Sequence, residues 1–365
     1  KKDNDTYHTL FVEKIEQILV FGNVTITPPA RRLLLRHNVD TVFLTRDGRY
    51  LGRYFSNESK NFFLRKKQFL RLDDKQFGID FCREIVRGKL TSMMTLLMRI
   101  KRTKKLPELA RNANDIKVLF SSIDKADSIE SLRGYEGKGS AVYFGCLHKG
   151  LINDFGFRRR VRRPPTDPVN AVLSLLYTLL FNRVYAAIRI ANLDPYPAFL
   201  HSPDYGRYAL VMDLMEEFRV IIADTLALSL FNLKILQQKD FIVEKMAAFD
   251  RANENQETEQ PDVTLDPYGV MADTAAQEIF DVPPQKMSCP EGDVLEGGDG
   301  KPPVRLTKEA FRRVMENFER KLTTEIYYEP YDRKISYGEA IVAQARQYRK
   351  AIEGEAGGYR ALVLK

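Results

Sequence analysis

The sequence predicts an α+β chain with a small N-terminal β-rich domain over residues 1–60 and a larger all-α domain over 61–365, interrupted by an acidic insertion at about 250–303. Three observations predict it. β-Branched apolar runs bounded by Gly, Pro and Asp-Gly fall within the first 60 residues. Beyond them, apolar side chains recur at intervals of three and four. Between 250 and 303 the periodicity gives way to Pro, Gly, Asp and Glu, which reads as a mobile insertion. With 365 residues and 44% hydrophobic content, disorder throughout is excluded.

The elements follow in order. Ile15 to Phe21 is β-branched and apolar, closes at Gly22-Asn23, and leads through Val24–Thr27 to a Pro28-Pro29 break. Leucines and basic residues alternate at helical spacing over Ala30 to His37. Val39 to Thr45 is a second strand, and Asp47-Gly48 is a hairpin turn into Arg49 to Tyr54. Phe62, Phe63, Gln68 and Phe69 open the helical region. Ile79, Cys82, Ile85, Val86, Leu90, Met93 and Leu97 then make one stripe along Phe77 to Lys101. Asp124 to Cys146 reads as a helix interrupted at Gly134, Gly137 and Gly139. Long helices are expected over Val169–Ala191 and about Tyr205–Ile235, and two amphipathic ones over Thr307–Leu322 and Tyr337–Ile352.

The net charge of +8 is unevenly spread, because residues 250–300 carry 13 acidic residues against Arg251 and Lys286. The rest of the chain holds 55 basic and 36 acidic residues, a net +19. A body that basic fits a polyanionic partner such as nucleic acid, although a solvated Lys/Arg surface gives the same balance. Three cysteines are too few for a disulfide scaffold, so a reducing, cytoplasmic setting is expected. The longest uncharged apolar stretch, between Asp167 and Arg183, is short of the roughly 18 to 20 residues of a membrane span, so no membrane partner is expected.

The chemistry centres on the helix after Tyr205. Val211, Leu214, Met215, Phe218 and Ile222 form its apolar stripe, and Asp213 and Glu216 point elsewhere, about 60° apart at 100° per residue. By spacing alone such acids form a solvated face. His201 stands just before them in Phe199-Leu200-His201-Ser202-Pro203, and an imidazole with carboxylates suits magnesium or manganese, though a lone histidine is more often a core residue. Glu136 in Gly134-Tyr135-Glu136-Gly137 is a candidate third acid. Arg158, Arg159, Arg160, Arg162 and Arg163 precede Pro164-Pro165 and could neutralise phosphates, or simply solubilise a loop. Cys82, Cys146 and Cys289 lack the surroundings of a nucleophile, and no CxxC, Walker loop, GxSxG or HExxH is present.

Several segments together resemble the CRISPR-associated spacer-acquisition integrases, the "Cas one" family. They are Phe21-Gly22-Asn23, Phe43-Leu44-Thr45-Arg46-Asp47-Gly48-Arg49, Leu64-Arg65 with Gln68, Glu136-Gly137 with Tyr143-Phe144, Arg163-Pro164-Pro165-Thr166-Asp167-Pro168-Val169-Asn170, Leu193-Asp194-Pro195 with Phe199-Leu200-His201, Met212 to Arg219, and Gln344-Ala345-Arg346. The ordered set covers about residue 14 to the end, apart from the acidic insertion. Ala198, Gly139-Ser140 and Val220 depart from common family residues without touching the expected ligands. A first β-hairpin expected before residue 14 is missing, which suggests a module cut from a longer chain such as a reverse-transcriptase fusion.

The resemblance implies a helical catalytic domain, a homodimer, and a small "Cas two" dimer as partner in inserting DNA into a CRISPR repeat. It implies Mg²⁺ or Mn²⁺ held by Glu136, His201 and Glu216, with Asp213 as an assisting acid. Strand transfer would follow from attack by a DNA 3′-hydroxyl, and nicking of branched DNA from attack by water. Asn170 and Tyr177, seven residues apart on one helix, would line the site or else cap and pack that helix. Two other readings stay open: a structure-selective metal-dependent nuclease, and a non-catalytic DNA-binding scaffold.

Overall fold

The computed structural model describes residues 10–15, 17–45, 50–54, 61–161, 164–202, 206–243, 302–355 and 357–364. The chain divides into two compact units, Lys1–Asn61 and Phe62–Lys365.

In the first unit, strand β1 (Gln17–Phe21) runs parallel to β2 (Asp40–Leu44), and β3 (Tyr50–Tyr54) pairs antiparallel with the other edge of β2, with a register shift at Phe43/Leu44. Parallel neighbours need a crossover, and helix α1 (Pro28–Arg36) supplies it. Pro28 and Pro29 begin this helix rather than merely breaking the strand before it. At the first turn a missing N–H costs no hydrogen bond. Val12, Leu34 and Val39 pack beneath it with Ile15, Ile18 and Ile26. The Asp47-Gly48 turn lies outside the described residues.

The second unit is helical. Its helices are α2 (Phe62–Leu70), α3 (Lys75–Lys104), α4 (Leu109–Lys125), α5 (Ile129–Leu147), α6 (Pro168–Ile190), α7 (Ala209–Phe218), α8 (Thr225–Asn232), α9 (Lys308–Leu322) and α10 (Tyr337–Glu353). Short polar side chains start five of them: Asp74, Ser128, Asp167, Thr307 and Ser336 each accept a first-turn N–H. Helix α3 packs on α4, α5 and α7, while α6 packs on α7 and α10. Helix α6 is long and apolar enough to cross a membrane, and 78% of its apolar window is buried inside this unit.

Three features differ from the sequence reading. Helix α5 is continuous through Gly134, Gly137 and Gly139; a side chain at 139 would fall 2.4 Å from Leu90 Cδ2, so that glycine serves close packing of α5 on α3, while Gly134 and Gly137 face open space and do not break the helix. The helix after Tyr208 contains a π-helical turn, Arg219–Asp224, between α7 and α8. Two antiparallel ribbons, β4 (Phe241–Val243) with β5 (Val304–Leu306) and β6 (Glu325–Tyr328) with β7 (Arg333–Ser336), join the helices. The insertion expected at about 250–303 lies outside the described residues up to 301.

Candidate active site

The site is built on a strap, residues 193–201, that runs from α6 towards α7. Gln68 on α2 exchanges two hydrogen bonds with the Asp194 backbone, at 2.7 and 3.0 Å, and Arg65 pairs with its carboxylate at 3.1 Å. Further along, Asp213 Oδ2 accepts the backbone N–H of Phe199 and Leu200 at 3.0 and 2.9 Å, and Oδ1 accepts that of His201 at 2.8 Å. Arg133 donates to the carbonyls of Phe199 and Leu200 from the other side. His201 Nδ1 also lies 2.7 Å from Asp213 Oδ1. The imidazole is thereby fixed with Nε2 turned to Glu216 Oε1, 3.8 Å away. Asp213 is fully buried and committed to the strap. It is a positioning residue for His201, and not the exposed neighbour its helical spacing suggested.

Glu216 is surrounded by cations. Arg219 Nη2 lies 3.1 Å from its Oε1, and Lys89 Nζ, from the middle of α3, lies 2.5 Å from its Oε2. The same ammonium contacts Glu136 Oε1, which Ser140 Oγ also reaches at 2.7 Å. Burial would raise the pKa of Glu216, but Arg219 and Lys89 outweigh it and hold the carboxyl at about 2. Glu136 is lowered as well, Lys89 overcoming its burial. Both acids are therefore ionised at neutral pH.

The donor set, two carboxylates and one imidazole nitrogen, fits Mg²⁺ or Mn²⁺. Glu216 Oε2 is buried, and the Lys89 ammonium 2.5 Å away is the contact that satisfies it. Among the described residues, no three His, Cys, Asp or Glu side chains form a closed ligand group: Glu136 joins Glu216 and His201 through the Lys89 ammonium.

The basic tract divides. Arg158 is exposed and pairs with Asp154, at 2.9 and 2.5 Å, and Arg159 is half-buried. Arg160 is buried and donates to Val161 O, Asn170 Oδ1 and Ser174 Oγ, so it belongs to the framework and not to a phosphate-facing surface. Arg162 and Arg163 lie outside the described residues. Asn170 is fully buried and holds this tract by accepting the Val161 N–H and donating to Arg159 O; it does not line the site. Tyr177 does adjoin it. Its ring lies between the guanidinium groups of Arg160 and Arg219, at 5.3 and 5.1 Å, and its hydroxyl donates to Asp224 at 2.7 Å.

The family model for CRISPR associated protein Cas1 matches residues 1–254. The chain belongs to the Cas1 family. A CRISPR-associated endonuclease Cas1 from Thermus thermophilus is 28% identical over 96% of this chain and 86% of its own length. Another, from Thermodesulfovibrio yellowstonii, is 36% identical over 66% of this chain and 75% of its own. Among solved structures, a Cas6-RT-Cas1–Cas2 complex matches at a TM-score of 0.74 and 23% identity; all of this chain is covered, and it spans 34% of that one. A casposase bound to integration product matches at 0.69 and 19% identity, over 96% and 84% of the two chains. These two likenesses are of fold.

Within this Cas1-family chain, sequence reasoning missed Lys89 and Asp224, and it gave no role to Glu217 and Arg219, which it named only as part of the Met212–Arg219 motif. Lys89 had a signal: it stands four residues after Ile85 and four before Met93, a cation in an apolar stripe. Asp224 receives the hydroxyls of Tyr143 and Tyr177 at 2.8 and 2.7 Å, and burial pushes it up to about 6 against both. Glu217, beside Glu216, faces the other way. It accepts hydrogen bonds from Gln344, Tyr359 and the Leu362 N–H, and so ties the C-terminal tail to α7. Burial pushes it up to about 7.

Proposed function

We propose that this chain is a metal-dependent DNA endonuclease and integrase that joins short DNA to a CRISPR repeat by phosphodiester transesterification. The observation that carries the reading is the meeting of His201, Glu216 and, through Lys89, Glu136 in a Cas1-family chain. Glu136, His201 and Glu216 would hold Mg²⁺ or Mn²⁺, which when bound stabilises charge on the scissile phosphate and acidifies the attacking hydroxyl. The chain's own residues prepare that site. Asp213 and Arg133 fix the strap so that Nε2 of His201 faces Glu216, and Arg219 keeps Glu216 ionised. In strand transfer the DNA 3′-hydroxyl oxygen bonds to phosphorus and gives its proton to solvent, while the bond to the leaving strand's oxygen breaks and that oxygen takes a proton from solvent, leaving a free hydroxyl. Water in place of the hydroxyl gives a nick.

The net +19 outside residues 250–300, with Arg158 and Arg159 at the edge of the tract, supports DNA as the substrate. The names of the relatives support the activity, and the name of the Cas6-RT-Cas1–Cas2 neighbour supports Cas2 and a covalently attached reverse transcriptase as partners; the Cas1 homodimer and the dimeric state of Cas2 stay part of the proposal. The test incubates branched DNA and Mn²⁺ with wild type, Glu136→Ala and His201→Ala, then a repeat-containing plasmid with and without the Cas2 partner. Loss of turnover in both variants, with DNA binding kept, is expected. Turnover retained in both rejects the site; nicking without strand transfer even with the partner leaves a structure-selective nuclease, and binding without turnover in any protein leaves a scaffold.

A further inference from the structure

Among the described residues of the second unit, Lys89 is the buried lysine. Its ammonium is buried on the apolar face of α3, with 6% of its side chain exposed, and it contacts the two carboxylates on which the metal reading depends. A buried lysine loses hydration and needs close anionic partners to stay charged. Here both are present: burial alone would lower its pKa, yet Glu136 and Glu216 together raise it.

The charge balance defines its role. Glu136 and Glu216 are offset by Lys89 and Arg219, so the cluster is neutral as it stands. A divalent cation added beside all four would set excess positive charge in a buried space. One of the two side-chain cations has to give way. Arg219 also lies over the Tyr177 ring, 5.1 Å from its centroid, and its Nη2 is 3.1 Å from Glu216 Oε1, so its planar group is held from two sides. Lys89 is a compact charge on a flexible four-carbon stem, and its ammonium stands directly on Glu216 Oε2, where a cation binding that oxygen would have to sit.

We propose that Lys89 is the resident counter-cation of the Glu136–Glu216 pair: it holds the two carboxylates together in the metal-free protein and yields its position between them when a divalent cation enters. The inference rests on the metal-site reading above. It makes Lys89 a positioning residue that sets metal affinity. No bond is made or broken at its nitrogen.

The experiment titrates Mn²⁺ into wild type and Lys89→Met, reading free Mn²⁺ by its paramagnetic resonance signal and stability by Tm. Removing the competitor should tighten Mn²⁺ binding about tenfold or more. It should also lower the metal-free Tm by about 5 °C or more, since buried Glu216 and half-buried Glu136 lose their shared partner, and Mn²⁺ should restore most of that loss. Equal or weaker Mn²⁺ binding by the variant overturns the inference and leaves the metal site standing. Binding by neither protein overturns both. If Lys89→Met does not fold alone, recovery on refolding with Mn²⁺ supports the inference, and failure with or without Mn²⁺ overturns it.

Discussion

At the scale of single residues, carboxylates of the same type do different things because their partners differ. Asp213 and Glu216 lie one turn apart on α7, yet Asp213 is used up by three N–H groups and an imidazole, while Glu216 faces two side-chain cations and Nε2 of His201. Asp224, six residues past Phe218, is a third case, with two tyrosine hydroxyls and a pKa raised by burial from 3.8 to about 6. An acid whose folded pKa is raised stays protonated in the folded chain after the unfolded chain has ionised. Its ionisation therefore removes stability as pH rises from about 4 to about 6, by roughly 2 to 3 kcal/mol. Asp224→Asn should lose that dependence. Urea unfolding of both proteins at pH 4.5 and pH 7 measures it: the variant should gain on wild type between the two values, and a constant difference would contradict the assignment.

At the scale of elements, glycines on helices have opposite roles that the sequence alone does not separate. On α3, a side chain at Gly88 would lie 2.4 Å from Ala361 Cβ, in the tail that Glu217 and Ser92 hold against the helices. On α5, Gly134 and Gly145 have nothing within 4 Å of an added Cβ. Alanine gains about 0.5–1 kcal/mol over glycine inside a helix, so Gly134→Ala and Gly145→Ala should each stabilise by that amount. Gly88→Ala should do the reverse by about 1–3 kcal/mol, because Ala361 cannot rotate its Cβ away and the tail must shift. Thermal or urea unfolding of the three variants gives the signs. The π-helical turn belongs to this scale too: it starts at Arg219, three residues after Glu216 and paired with it, and ends at Asp224, which meets the tyrosines of α5 and α6.

At the scale of the whole molecule, charge is partitioned along the chain. Outside residues 250–300 the net is +19, and inside them acids predominate 13 to 2. Exposed charges more than about 8 Å apart are largely screened at physiological salt. Deleting residues 252–302 should therefore leave DNA affinity nearly unchanged, while affinity of either protein should fall steeply with salt. Fluorescence anisotropy with a labelled duplex at two salt concentrations measures both. A large rise in affinity on deletion would instead show that the acids shield the basic face.

Much of this was legible beforehand. Strand and helix positions follow from apolar periods of two and 3.6 residues, local properties that the chain states directly. Glu136, His201 and Glu216 were legible through their motifs, which also named residues whose purpose appears only in space. Gln68 meets Asp194, Gln344 meets Glu217, and Asn170 holds Arg159 to Val161. Arg160 could not be told from Arg158 by sequence, since both are arginines in one run and only packing buries one of them. By itself, then, the sequence determined the family, the two-part architecture and the residue types able to bind a cation. The tertiary structure decided which carboxylate faces which partner, because a carboxylate's role depends on charges and donors brought within about 3 Å from distant parts of the chain, and it alone set Lys89 between two of them.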